Sequence, residues 1–127
     1  MSTAAPDGLF ELAADGSLTL LGGYSPTSGL HHFPQGPACP YSGADDVEQV
    51  RLPATGSLWA WTSVTSAPPG YRGPVPYGFG IVELDGIGLR VVGRITEADP
   101  AALSHGQPMR LVADHIDDEL TVWAFAP

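Results

Sequence analysis

The sequence predicts a mainly β protein, in which a turn-rich, ribbon-like N-terminal region is followed by a five-stranded barrel with one short helix. Three observations carry that prediction. Glycine (16) and proline (13) are spread along the 127 residues rather than gathered in one tract, which is how short strands and turns are punctuated. Hydrophobic residues make up 43% of the chain and charged residues only 15%, which is enough for a packed core and argues against wholesale disorder. Beyond residue 50, apolar and polar side chains alternate in short runs, the period of half-buried strands.

Taken in order, residues 1–16 are small, acidic and glycine-containing, and are expected to form a flexible tail with one helical turn around Leu9–Ala13. Residues 17–50 open on the apolar stretch Leu18–Leu21. They then break into Gly-Gly, Ser-Pro, Phe-Pro, Gly-Pro and Cys-Pro pairs, which permit only tight turns and very short strands. This region has too little apolar content to form a large core by itself. From 51 to 127 the chain reads as strands. Ser57–Ser66 places Leu58, Ala60, Thr62 and Val64 on one face and Trp59, Trp61 and Ser63 on the other. Ala67–Pro76 is a proline-rich loop. Tyr77–Leu84 is a second strand, and Asp85-Gly86 with Gly88 marks a hairpin. Leu89–Thr96 is a third, with Leu89, Val91 and Ile95 opposite Arg90, Val92 and Arg94. Asp99–Ser104 is a single helical turn, with Asp99 as cap and Pro100 at its first position. Met109–Ile116 and Leu120–Phe125 flank the acidic turn at 117–119. Three strands, a helix and two more strands follow the order of a small closed barrel of the OB type. Strand count alone also admits a β-sandwich.

Charge narrows the function. Five arginines, no lysine and 14 acidic residues give a net charge of −9, which a phosphate backbone would repel, so nucleic acid is not an expected partner. A single cysteine forbids an intramolecular disulfide. No apolar run approaches the ~20 residues that span a bilayer, and the start of the sequence lacks the basic and apolar regions of a leader peptide. The expectation is a cytoplasmic protein that touches no membrane.

Ser25-Pro-Thr-Ser28-Gly29 and Cys39-Pro-Tyr-Ser42-Gly43 share the C-x-x-C-G shape of two zinc-ribbon knuckles, with three of the four thiols replaced by hydroxyls. Zinc takes thiolate or neutral imidazole ligands, and a serine hydroxyl does not ionise readily near neutral pH. The expectation is a ribbon that keeps its turns without a metal and is held by the packing of Tyr24, Leu30, Phe33 and Tyr41. His31 and His32, adjacent on an extended segment, point to opposite sides and read as surface or loop histidines. Cys39 has no positioned base to make it a nucleophile. Ser104-His105 and Asp114-His115 lack the strand–turn–helix elbow of a hydrolase. The acidic turn lacks the spaced ligands and turn glycine of a calcium loop. Trp59 and Trp61 on one face would stack bases on a nucleic-acid-binding barrel. The charge removes the other half of that recognition, and burial or a protein interface is preferred. The stiff loop Pro68–Pro76 presents Tyr71 and Arg72, residue types favoured at interfaces.

These pieces, in this order, resemble the zinc-ribbon plus OB-fold proteins filed as domain of unknown function 35. The resemblance covers residues 17–126. It rests on the paired knuckles with Phe33-Pro34 between them, Gly56-Ser-Leu-Trp-Ala-Trp-Thr62, Ala67-Pro-Pro-Gly-Tyr71, Val75-Pro-Tyr77, Ile81-Val-Glu-Leu-Asp85 and Gly106-Gln-Pro-Met109. It implies a non-catalytic accessory subunit, without a cofactor of its own, in a hetero-oligomer with a thiolase-fold protein. Such partners act on acyl-CoA thioesters, among them thiolases and the retro-aldolases of lipid and steroid side-chain breakdown, and they hold most of the acyl-CoA. It further implies that Tyr24, Leu30, Phe33 and Tyr41 dock on the partner. Tyr71, Arg72 and Tyr77 would lie near its acyl-CoA channel, with Arg72 as a phosphate contact. The knuckle positions Ser25, Ser28, Cys39 and Ser42 depart from the family's four cysteines. A single-stranded nucleic-acid-binding OB protein is the alternative on fold analogy, and a stand-alone enzyme using Cys39 or a histidine is a third reading.

Overall fold

The computed structural model describes residues 3–4, 8–118 and 120–127. Among the described residues, ten strands form two sheets. They are β1 (Thr3–Ala4), β2 (Phe10–Leu12), β3 (Leu18–Ser25), β4 (Leu30–His32), β5 (Glu48–Arg51), β6 (Thr55–Val64), β7 (Tyr77–Leu84), β8 (Arg90–Ile95), β9 (Pro108–His115) and β10 (Leu120–Ala126).

The barrel uses β6 to β10. β6 pairs with β7 and β7 with β8, both antiparallel. β10 then closes the structure by pairing parallel to β8 and antiparallel to β9, while β9 returns to β6. This is the OB arrangement, and closure leaves no open edge among these five strands. β1 adds to β10 in parallel. The alternation expected of β8 holds, with Val91 and Ile95 buried in the barrel, and β7 buries Val82 and Leu84 beside them. The expected helix is a 3-10 turn at Pro100–Ala102, and the Asp99 carboxylate accepts from the Ala101 N–H at 3.0 Å as its cap. It covers one end of the barrel, where the Trp61 Nε1–H donates to the Pro100 carbonyl at 3.0 Å.

The strict alternation expected over Ser57–Ser66 fails at Trp59. Leu58 opposes Val82 and Ala60 opposes Ile81, so Trp59 is the extra residue of a β-bulge. Past the bulge the phase of the strand is reversed. Trp61, opposite Gly80, packs against the core, whereas Trp59 stays outside and 41% exposed. The two tryptophans therefore do not share a face, and the base-stacking platform is absent. Gly80 is the sign of this arrangement: a Cβ there would collide with the Ala60 carbonyl and Trp61.

The second sheet joins β2, β4 and β5 to β3. The helical turn expected around Leu9–Ala13 is instead strand β2, paired with Leu18–Leu20. The second half of the expected tail is thus built into the fold, and the first half lies partly outside the described residues. Tertiary packing sets this outcome, because the buried Phe10 ring lies edge-on to Trp123 at 6.2 Å between centroids. β3 is longer than expected and runs through Gly22-Gly23 to Ser25. β5 runs across the boundary expected between residues 50 and 51. His32 is not a surface histidine. It is 3% exposed, its ring lies where a Cβ on Gly23 would stand, and neither ring nitrogen has a hydrogen-bond partner. One hydrophobic cluster runs through both sheets, with Phe10, Leu18, Leu20 and Leu52 joining Leu58, Val82, Met109 and Phe125. This is the core that the ribbon-like region could not supply alone.

Candidate functional site

Two groups of side chains follow from this framework. The first is the pair of knuckles. The turn between β3 and β4 brings the Gly29 N–H back to the Ser25 carbonyl at 2.8 Å, and the loop before β5 does the same from Gly43 to Cys39 at 2.8 Å. Both glycines have positive φ, 72° and 77°, which is why glycine closes each knuckle. The four former ligand positions converge. The Ser28 N–H faces the Ser25 hydroxyl at 3.4 Å, and the Cys39 thiol donates to the Ser28 hydroxyl at 3.5 Å. Once ionised, the sulfur accepts from the Ser28 and then the Ser42 hydroxyl, and this favours the thiolate and holds the Cys39 thiol below its ordinary value, at about 7. The thiol is nevertheless 2% exposed.

Asp46, which follows the second turn in sequence, is clasped to the first. Asp46 accepts from the Ser25 hydroxyl at 2.6 Å, the Thr27 N–H at 2.9 Å and the Thr27 hydroxyl at 2.7 Å. These bonds, led by that from Ser25, hold its carboxyl at about 2. The residues present do not fit the ribbon family's zinc. One thiol is the only soft donor, and Ser25 is committed as a donor to Asp46. Among the described residues, no group of three or more His, Cys, Asp or Glu is placed to hold a metal ion. Asp46 has no signature in the sequence, because its role depends on a contact across 21 positions.

The aromatic residues of the ribbon do not form one patch. Tyr24 lies against His31 at 4.7 Å, and Phe33 turns inward onto Trp123 at 5.4 Å, edge to face. Leu30 and Tyr41 are exposed and line a hollow beside Ile87 and Leu89 of the barrel.

The second group is the proline-rich loop. The Tyr71 hydroxyl donates to the Pro74 carbonyl at 2.7 Å, and its ring meets Tyr77 at 5.0 Å. Arg94, which the sequence did not single out, lies over the Tyr77 ring at 4.3 Å and donates from Nε to Asp114 at 2.8 Å. Arg72 is ion-paired with Asp117 at 3.1 Å. The structure thus brings Tyr71, Arg72 and Tyr77 together but gives both arginines carboxylate partners of their own. The hydrolase fragments stay apart: His105 Nδ1 faces the Trp59 carbonyl at 2.9 Å, and His115 Nδ1 faces the Thr121 hydroxyl at 2.7 Å. Among the described residues no helix is long and apolar enough to cross a membrane.

Comparison with known proteins follows the same lines. The family profile described as "ChsH2, C-terminal OB-fold domain" matches residues 49–114. The chain is 29% identical over 84 residues to a "DUF35 domain-containing scaffold protein" of Pyrococcus furiosus, covering 66% of this chain and 61% of that one. It is 34% identical over 98 residues to a "Probable enoyl-CoA hydratase alpha subunit" of Thermomonospora curvata, covering 77% of this chain and 30% of that one. Less than two thirds of either relative's length is therefore spanned. Among solved structures it resembles a chain of the "Ltp2-ChsH2(DUF35) aldolase", with a TM-score of 0.69 and 28% identity over 86% of this chain and 84% of that one.

Proposed function

The chain belongs to the family of the ChsH2 C-terminal OB-fold domain, and from that premise we propose that it is a non-catalytic accessory subunit of an acyl-CoA enzyme with a thiolase fold. The observation that carries this reading is the likeness, over 86% of the chain, to a component of an assembly named as an aldolase. The names of the relatives, a scaffold protein and the alpha subunit of a probable hydratase, support a role beside acyl-CoA chemistry. The dispersal of His105, Asp114 and His115 onto separate structural partners supports leaving the chemistry to the partner.

In this reading the chain is cytoplasmic and supports assembly of the partner, with a thioester of a lipid or steroid side chain as the substrate class. The exposed Leu30 and Tyr41 contribute to docking, beside Tyr24 and Phe33. The loop carrying Tyr71, Arg72 and Tyr77 helps to shape the acyl-CoA channel. Any phosphate contact from Arg72 would require it to leave Asp117.

The test is recovery of the tagged chain from its own cells, with co-purifying proteins identified by mass spectrometry. The expected result is a thiolase-fold protein that loses solubility or activity when this chain is withheld. A monomer recovered without such a protein would overturn the reading. The double variant Tyr71→Ala, Arg72→Ala tests the channel role separately: unchanged assembly with unchanged acyl-CoA affinity would remove it.

A further inference from the structure

The outer wall of the barrel at β7 and β8 carries an apolar surface that neither the knuckles nor the proline-rich loop uses. Phe79 and Val92 stand out of it at 39% and 46% exposure. Phe33 and Pro34, which follow β4, line a groove of about 530 Å³ with them, together with Val122 and Trp123. That volume lies within the size range of binding pockets.

The charges around the groove are all matched. Arg90 and Arg94 flank Val92 on the outward side of β8 and both line the groove. Arg90 lies over the Trp59 ring at 4.1 Å and pairs with Glu83 at 3.3 Å. Arg94 lies over Tyr77 and pairs with Asp114 at 2.8 Å. Arg72, next to the Tyr71 ring that Arg94 also approaches at 5.5 Å, pairs with Asp117. Three of the five arginines are offset here by three carboxylates, so the net charge of −9 is carried by the rest of the chain. The guanidiniums are fixed by stacking, which lowers the entropy lost when they are buried.

We propose that this face is a seat for the partner subunit, and that it receives an apolar, uncharged segment of that partner in the groove lined by Phe33, Pro34, Phe79 and Val92. The inference rests on the accessory-subunit reading and deepens it. Charge selects the occupant. A polyanion or an anionic membrane would be repelled by the remaining charge, and a second copy would bring the same charge with it. An anionic small molecule would find each guanidinium already neutralised. An uncharged apolar segment meets no such opposition, and aromatic and arginine side chains are the usual anchors of protein interfaces.

The test uses the full chain and the thiolase-fold protein recovered with it. Titration calorimetry compares the wild type with Val92→Glu, in the groove wall, and Gln49→Glu, on the exposed strand β5. Val92→Glu should weaken binding by about tenfold or more, while Gln49→Glu should stay within about threefold. Wild-type affinity should change little between about 50 and about 500 mM salt, because no unmatched charge is involved. Phe79→Glu repeats the comparison should Val92→Glu fail to fold by thermal unfolding. Wild-type binding by the groove variants would overturn this inference and leave the accessory role standing. Absence of any thiolase-fold protein from the wild-type recovery would overturn both. A dimer of the isolated chain that Val92→Glu dissolves, seen by sedimentation, would assign the face to a second copy and overturn the proposal.

Discussion

Phe10→Ala tests whether the stretch before residue 16 is part of the fold. Phe10 is 6% exposed, sits in the cluster shared by the two sheets and meets the Trp123 ring edge-on at 6.2 Å. Truncating a buried phenylalanine costs about 3–5 kcal/mol. β2 is a three-residue strand paired only through β3 in its sheet, so it can relax inward, which favours the lower part of that range. The lost aromatic pair, worth about 0.5–1.5 kcal/mol, is contained in that range. The expected destabilisation is therefore about 3–4 kcal/mol. With a urea slope of about 2 kcal/mol/M, the unfolding midpoint should fall by roughly 1.5–2 M. Urea titration followed by tryptophan fluorescence measures it, with Trp123 reporting alongside Trp59 and Trp61. A flexible tail would give the opposite result. A midpoint change equivalent to less than about 0.5 kcal/mol, the size of an ordinary surface substitution, would refute the packing argument.

Two pH-dependent outcomes follow from the knuckles. Cys39 titrates at about 7 instead of 9.0, so its stabilising contribution should be complete above pH 9, decline as pH falls toward 7 and be absent below it. Thiolate absorbance at 240 nm should report a midpoint near 7 that rises in a Ser28→Ala variant, and an unchanged midpoint would break the assignment. Asp46 is depressed from 3.8 to about 2, so its contribution is fully present above pH 4 and is lost as pH falls through 2. Ser25→Ala should flatten the acid limb of the stability curve, measured by thermal unfolding between pH 2 and 5. An acid limb like the wild type's would show that the clasp on Asp46 adds nothing.

The elements legible in the sequence are those whose determinants are local. The cap at Asp99 followed by Pro100, the hairpin at Asp85-Gly86 and the alternation of β8 each depend on neighbours along the chain, and each appears in the structure. The converging knuckles were legible for the same reason, since spacing and a closing glycine fix each turn. What escaped depends on contacts distant in sequence. The bulge at Trp59 inserts one residue into a run that remains apolar and carries no compositional mark; its signature is Gly80 on another strand. β2 is too short to show a period and is defined by Trp123. The burial of His32 requires the missing side chain of Gly23. In the sequence Arg94 is an outward strand position and Asp114 a fragment of an incomplete hydrolase triad, and only the closed barrel makes them a pair.

The last strand, β10, has a consequence for how the molecule is made. It joins β8 to β9, and its Trp123 receives Phe10 of β2 and Phe33, which follows β4. A ribosome delivers these residues after β2 to β9 have been synthesised. Until then β8 and β9 each present a bare edge, and the rings of Phe10 and Phe33 lack the surface they cover in the finished protein. The nascent chain therefore completes neither layer step by step. Until β10 emerges, the edges of β8 and β9 are open to chaperones and to aggregation.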